Sequence, residues 1–158
     1  MGSRDLITIT VCCLLLLAHA AGAYAAWHMD TIDTAGTVGI DASLALDQNG
    51  RPHVCYYDYT NGDLRYAYLS GTDWVIQTVD AGGDVGTGCD IALDSTGAPH
   101  LCYYDFSLFR LKYARLNDDT WEIQTIEEDC FAGEPSIATD SRDNPDICYG
   151  EYDAQELR

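Results

Sequence analysis

SLALDQNGRPHVCYYDYTNGDLRYAYLSGTDWVIQTVD, residues 43–80, is followed by DIALDSTGAPHLCYYDFSLFRLKYARLNDDTWEIQTIE, residues 90–127. The two stretches align without a gap at an offset of 47 residues. Landmarks carry the same period along the chain. Trp27, Trp74 and Trp121 are 47 apart. Asp47, Asp94 and Asp140 are spaced by 47 and then 46, as are Cys55, Cys102 and Cys148, and Leu64, Leu111 and Leu157. The third copy has lost one residue between Trp121 and Asp140. Self-similarity at a fixed period of this size marks a repeat architecture, in which each copy is one supersecondary unit.

Each unit reads as four short strands. The first is SLALD (43–47), DIALD (90–94) and SIATD (136–140). The turns QNGRP, STGAP and SRDNP follow; Gly50 and Gly97 supply positive φ and the prolines fix the exit. The second strand is HVCYYDY (53–59), HLCYYDF (100–106) and, more weakly, DICYGEY (146–152). TNGD at 60–63 is an Asn-Gly hairpin signal. LRYAYL (64–69) and LKYARL (111–116) form the third strand, and the run led by each Trp the fourth. In 53–59, strand alternation sends His53, Cys55, Tyr57 and Tyr59 to one face and Val54, Tyr56 and Asp58 to the other. Both faces carry large or apolar groups, which suits a strand sandwiched between neighbours. Four-stranded units of 47 residues in tandem predict an all-β fold, a partial β-propeller of about 2.5–3 blades, with units beginning near Trp27, Trp74 and Trp121.

The stretch 74–116, with WVIQTVD, DIALDSTGAPHLCYYD and LKYA, resembles the tandem propeller repeats of large secreted bacterial and archaeal proteins. Those repeats look like relatives of the sialidase-type and fucose-lectin-type propellers, and the resemblance extends over 27–158. It implies the fold and no single activity. The sialidase Asp-box, S-x-D-x-G-x-T-W, is not present: ALDQNGRPH places two residues between Asp and Gly and no Trp after them. The chain stops at ELR (156–158), where the earlier copies continue LRYAYL and LKYARL. A propeller truncated at its C-terminus is therefore expected, the alternative being a short chain that builds a ring from several copies. Missing blades or other copies are needed as partners to close the ring.

Residues 1–25 read as a secretory signal peptide: Arg4 near the start, an apolar run from Leu6 to Ala18, then AHA and AYA before a cleavage site after Ala25. Residues 26–158 are the repeat domain, expected to be secreted or at the cell surface, with no membrane contact after cleavage. The leader carries one Arg and one Asp, so its removal leaves the net charge at −18. That charge argues against nucleic acid or an anionic membrane surface as partner. Seven cysteines become five, because Cys12 and Cys13 leave with the leader. Cys55, Cys102 and Cys148 fall on one repeated strand position and are expected to be buried, unbonded small hydrophobes. Cys89 and Cys130 are off the pattern and form the candidate disulfide.

The chemistry is sparse. No Gly-x-Ser-x-Gly, His-Glu-x-x-His or phosphate loop occurs. Few basic residues are available to converge on a carboxylate, so no catalytic residue is assigned. Aromatic–acid pairs suit sugars, since a ring covers C–H faces and a carboxylate accepts from hydroxyls. Tyr57 with Asp58 and Tyr104 with Asp105 are the candidate ligand-binding residues; the third copy has Gly150 and Glu151 there. The competing expectation is that these tyrosines fill the gap between blades with their hydroxyls bonded. His53 and His100 are repeat equivalents, a blade apart and too distant to share an ion. No cofactor is expected; the acidic loops 140–146 and 117–119 are where a Ca²⁺ would be held, without EF-hand spacing. The expected function is a non-catalytic extracellular recognition or scaffold module that meets a glycan or a protein surface. The alternative is a piece of a sialidase-like glycoside hydrolase with its catalytic residues on missing blades.

Overall fold

The computed structural model describes residues 28–152 and 155–158. The expected leader and Trp27 lie outside these residues. Thr31–Arg158 folds as one unit, and among its described residues every regular element is a strand.

The first repeat forms an antiparallel sheet in chain order: β1 (Val38–Leu46), β2 (Pro52–Asp58), β3 (Asp63–Ser70) and β4 (Asp73–Asp80). The second repeats it with β5 (Val85–Leu93), β6 (Pro99–Asp105), β7 (Arg110–Asn117) and β8 (Thr120–Glu127). The third is shorter. β9 (Ser136–Thr139) pairs with β10 (Pro145–Cys148), and β11 (Gly150–Glu151) pairs with β12 (Glu156–Leu157). Residues 43–69 and 90–116 thus lie in separate sheets, as the period requires.

The first strand of each full sheet starts earlier than the repeat signature indicates. Val38 pairs with Asp58 and Val85 with Asp105, and two register shifts follow before Ser43 meets Cys55 and Asp90 meets Cys102. The shifts are bulges, which the alternation of apolar residues does not announce. The third copy has Ala-Gly-Glu-Pro-Ser (132–136) where the others have one residue more, so its deletion falls inside this bulge. The hairpin at 60–63 also differs from expectation. Asp58 pairs with Asp63, leaving a four-residue loop, and the Asp58 carboxylate accepts from the Asn61 backbone N–H.

The β1–β2 turn keeps one design in all three repeats. Asp47 Oδ1 accepts from the N–H of Asn49 and Arg51, Asp94 Oδ1 from Thr96 and Ala98, and Asp140 Oδ1 from Arg142 and Asn144. Gly50 and Gly97 take φ of 75° and 86°; Asp143 takes 66° at the same place. A left-handed Asp is tolerated because its carboxylate is used: it accepts from both the N–H and the hydroxyl of Ser95, at 2.7 Å each.

The sheets pack on one another through equivalent faces. Cys55, Leu64 and Tyr66 of the first sheet share a buried cluster with Cys89, Ile91, Leu101, Tyr103 and Ala114 of the second. Cys102 and Tyr113 on the opposite face of the second sheet pack on Ile137 of the third repeat. Asp90 ties the three first strands together, accepting from the Ser43 and Ser136 hydroxyls and from the Ile137 N–H. Ser43, Asp90 and Ser136 are repeat equivalents, so β1, β5 and β9 are successive neighbours.

Candidate functional site

A polar cluster lies where the last strand of each repeat meets the next. Asp80, ending β4, accepts from Tyr103 Oη at 2.8 Å and from Lys112 Nζ at 2.5 Å; Lys112 also stands 3.6 Å from Asp105. The same group recurs a repeat earlier: Tyr56 Oη donates to Asp33, and Arg65 pairs with Asp58 at 3.0 Å. It recurs a repeat later: Tyr149 Oη and Arg158 Nη1 both donate to Glu127, and Arg158 lies 3.7 Å from Glu151. Two acids, one tyrosine and one base therefore form a quartet at every junction. Burial alone would raise Asp80, but the bonds from Lys112 and Tyr103 outweigh it and hold the carboxyl below its usual range. Burial, followed by Asp80, drives the Tyr103 hydroxyl strongly upward, so it stays protonated and donates.

The quartets use Asp58 and Asp105, two of the four residues expected to bind ligand; Tyr57 and Tyr104 lie outside them. Tyr57, Asp58, Tyr104 and Asp105 are 6%, 1%, 7% and 1% exposed, which removes them as a surface sugar site. Tyr57 Oη donates to Asp84, and burial first and that bond second push the tyrosine up to about 12. Tyr104 Oη donates to the Cys130 carbonyl at 2.8 Å. Asp105 Oδ2 has no hydrogen-bond partner, although Asp58 Oδ2 has three donors. The sequence difference accounts for this. Leu108 replaces Asn61, and Lys112 replaces Arg65 and reaches towards Asp80 instead.

The cysteines also depart from expectation. Cys89 and Cys130 are both free thiols, in separate buried clusters. Cys89 donates to the Asp41 carbonyl and Cys130 to the Glu127 carbonyl, so the expected bridge between them is not formed. Cys55 and Cys102 are fully buried, but Cys148 is exposed because no described element packs over its face of the third repeat. His53 and His100 are buried and bonded through Nδ1 to the hydroxyls of Tyr66 and Tyr113, at 2.5 and 2.6 Å. Among the described residues, no group of three or more His, Cys, Asp or Glu is placed to hold a metal ion.

A groove of about 450 Å³ lies open between the first and second sheets. Tyr66, Tyr68 and His53 form one wall, with Tyr68 stacked on both other rings at 5.7 and 5.9 Å. Arg51, Gln77, Asp118 and Asp119 bring polar groups to its edge. Gln77 accepts from Trp121 Nε1 through its side-chain oxygen, which leaves its amide N–H groups for other acceptors. On the second sheet Arg115 stands at the place of Tyr68 and pairs with Asp94 at 3.1 Å. The sequence holds a signal for this groove. Tyr68 and Arg51 are positions where the copies disagree, with Arg115 in place of Tyr68 and Ala98 and Asn144 in place of Arg51.

No family model matches the chain, and no curated protein matches it. Among solved structures, the chain is similar to a bifunctional GH43-CE protein of Bacteroides eggerthii, with 14% sequence identity and a TM-score of 0.47. The match covers 72% of this chain and 16% of that one.

Proposed function

We propose that the chain is part of a β-propeller and acts as a non-catalytic recognition module, binding a glycan in the groove between its first two sheets. The observation that carries this is the half-buried ring of Tyr68 beside Arg51, Gln77, Asp118 and Asp119, with Tyr66 and His53 stacked behind it. The groove's volume is that of a small-ligand site, and ring faces beside convergent polar groups are what a sugar needs. The propeller reading rests on the repeated four-stranded sheets and on the adjacency of β1, β5 and β9. The absence of catalysis is supported by how the ionic groups are used. Arg51, Arg65 and Arg115 are paired with Asp47, Asp58 and Asp94, so they do not converge on a substrate carboxylate as a sialidase-like site would require.

A glycan array followed by titration of the best ligand tests the reading. Tyr68→Ala is expected to weaken binding by about tenfold, the equivalent of one stacking contact near 1.4 kcal/mol. Tyr152→Ala, on the third repeat, is expected to leave it unchanged. Thermal melts run beside the titrations verify that both variants fold. Equal binding by wild type and a folded Tyr68→Ala variant would refute the groove as the site.

A further inference from the structure

The first-strand position held by Cys89 carries no cysteine in the other copies, which have Ala42 and Pro135 there. The second-strand cysteine is present in every copy, at 55, 102 and 148. The two kinds therefore meet at one junction among the described residues, between the first sheet and the second. There Cys55 and Cys89 share one buried cluster. Cys102 packs in the cluster on the opposite face of the second sheet, against Ile137, and Cys130 in a further one. Sheets stacked face to face ordinarily stand about 10 Å apart, too far for a disulfide, which needs Cα atoms within about 7 Å. This junction is tighter. A Cβ on Gly86 would stand 2.8 Å from the Cα of Leu64, so β5 enters with its backbone almost touching β3. The Gly88 N–H then donates to Asp41 Oδ2 at 2.8 Å, and Cys89 Sγ to the Asp41 carbonyl at 3.1 Å. Asp41 lies in the β1 bulge that ends where Ser43 pairs with Cys55. The Cys55 and Cys89 side chains are themselves hydrogen-bonded, and that bond, ahead of burial, raises the Cys89 thiol well above its ordinary range.

We propose that Cys55 and Cys89 are a disulfide-forming pair, oxidised by a small disulfide such as oxidised glutathione into a covalent staple between the first sheet and the second. The partner of the off-pattern cysteine is then the repeat cysteine across the junction rather than Cys130. One thiol loses its proton and attacks oxidised glutathione, forming a mixed disulfide and expelling one glutathione thiolate. The second thiol, deprotonated in turn, displaces the other glutathione. One S–S bond is broken, one is made, and two molecules of glutathione thiol leave with the two protons. Cys89 lines an opening of about 380 Å³ beside Asp41, Gly88, Asp90 and Pro135, which gives the small disulfide its approach. The thiolate is the attacking species, so a thiol held protonated reacts slowly in the folded chain, and the bond is made chiefly as the sheets close. The loop it closes takes in β3 and β4, so the staple restricts most of the first repeat in the unfolded chain.

The full chain, reduced and unfolded in urea, is refolded by dilution into a glutathione redox buffer, and the remaining thiols are alkylated. Digestion at aspartates separates Cys89 from Cys102, because Asp90 and Asp94 lie between them. Mass spectrometry is expected to find a linked peptide joining Cys55 to Cys89. Cys89→Ala, which places at 89 the residue already found at 42, should remove that link, whereas Cys130→Ser and Cys102→Ala should retain it. The oxidised wild type should melt about 10 °C above the same protein with reductant added, and Cys89→Ala at one temperature in both. The same digestion of chain that was never unfolded, incubated with oxidised glutathione, makes the result independent of refolding. Cys55 and Cys89 both alkylated in the two preparations, or a link from Cys89 to Cys102 or Cys130 in their place, overturns the proposal.

Discussion

His100 lies on β6 and is 1% exposed, with Tyr113 on Nδ1 and Asp94 3.4 Å from Nε2. Burial holds its pKa below the ordinary 6.5, with Asp94 countering only in part. His53, in the same strand position of the first repeat, is lowered for the same leading cause. A base whose pKa is lower in the folded state is neutral there, while the unfolded chain takes up a proton as pH falls below 6.5. The stability these histidines contribute is thus complete above 6.5 and is lost as pH falls from there towards their folded values. The carboxyls of Asp80 and Asp90 are held below 3.8, so their contribution is present above 3.8 and disappears only in stronger acid. Thermal melts should therefore show the melting temperature falling between about pH 7 and about pH 5, well above carboxylate titration. His100→Gln should lower stability at neutral pH by about 1–2 kcal/mol, through lost hydrogen bonds, and flatten that slope. A slope unchanged in the variant would place the titration elsewhere.

Gly39 and Gly86 open the bulges of β1 and β5 from identical Val-Gly pairs, with φ of 87° and 109°. A Cβ on Gly39 meets nothing within 4 Å, but on Gly86 it stands 2.8 Å from the Cα of Leu64 in the first sheet. The second bulge is therefore pressed against backbone that cannot move aside. Gly86→Ala should cost about 3 kcal/mol or more, combining positive-φ strain with overpacking, and Gly39→Ala about 1 kcal/mol from strain alone. Urea melts of the two variants check this, and equal losses would contradict the close packing of β5 on β3. The pair of glycines is legible in the sequence as a repeated feature. Their unequal burden is not, because only one of them has a sheet stacked in front of it. The turns behave in the opposite way: Asp47, Asp94 and Asp140 organise them through contacts two and four residues on, so the sequence discloses them fully.

The chain carries 26 acidic residues against 8 basic ones, and several of its few cations are committed at the junctions. Arg65, Lys112 and Arg158 each neutralise acids of a quartet, so the surface keeps an excess of carboxylates that repel one another. The quartets need not add much net stability, since desolvation offsets the attraction in buried pairs. Their consequence is registry: each joins the end of one repeat to the middle strands of the next. Added salt screens exposed charges beyond a Debye length of about 10 Å at 0.1 M and acts less on buried pairs. The melting temperature should accordingly rise as sodium chloride is increased from low ionic strength. A fall would mean that ion pairs at the surface outweigh the repulsion.

The order of the strands, the Asp-led turns and the all-β class are written in the chain, because each follows from residues within one 47-residue copy. The filling of both faces of HVCYYDY is written there too, through strand alternation. Which tyrosine does what is decided by stacking. Tyr56 and Tyr57 are adjacent and chemically alike, yet the first grips Asp33 in a quartet and the second bonds to Asp84. Period and alternation assign a side chain to a face, but not the neighbour that covers that face. The same limit explains Cys148, identical in its repeat position to Cys55 and Cys102 and exposed where they are buried. It applies to Tyr68 as well: this position lines a groove on the first sheet, while Arg115 at the same place on the second pairs with Asp94.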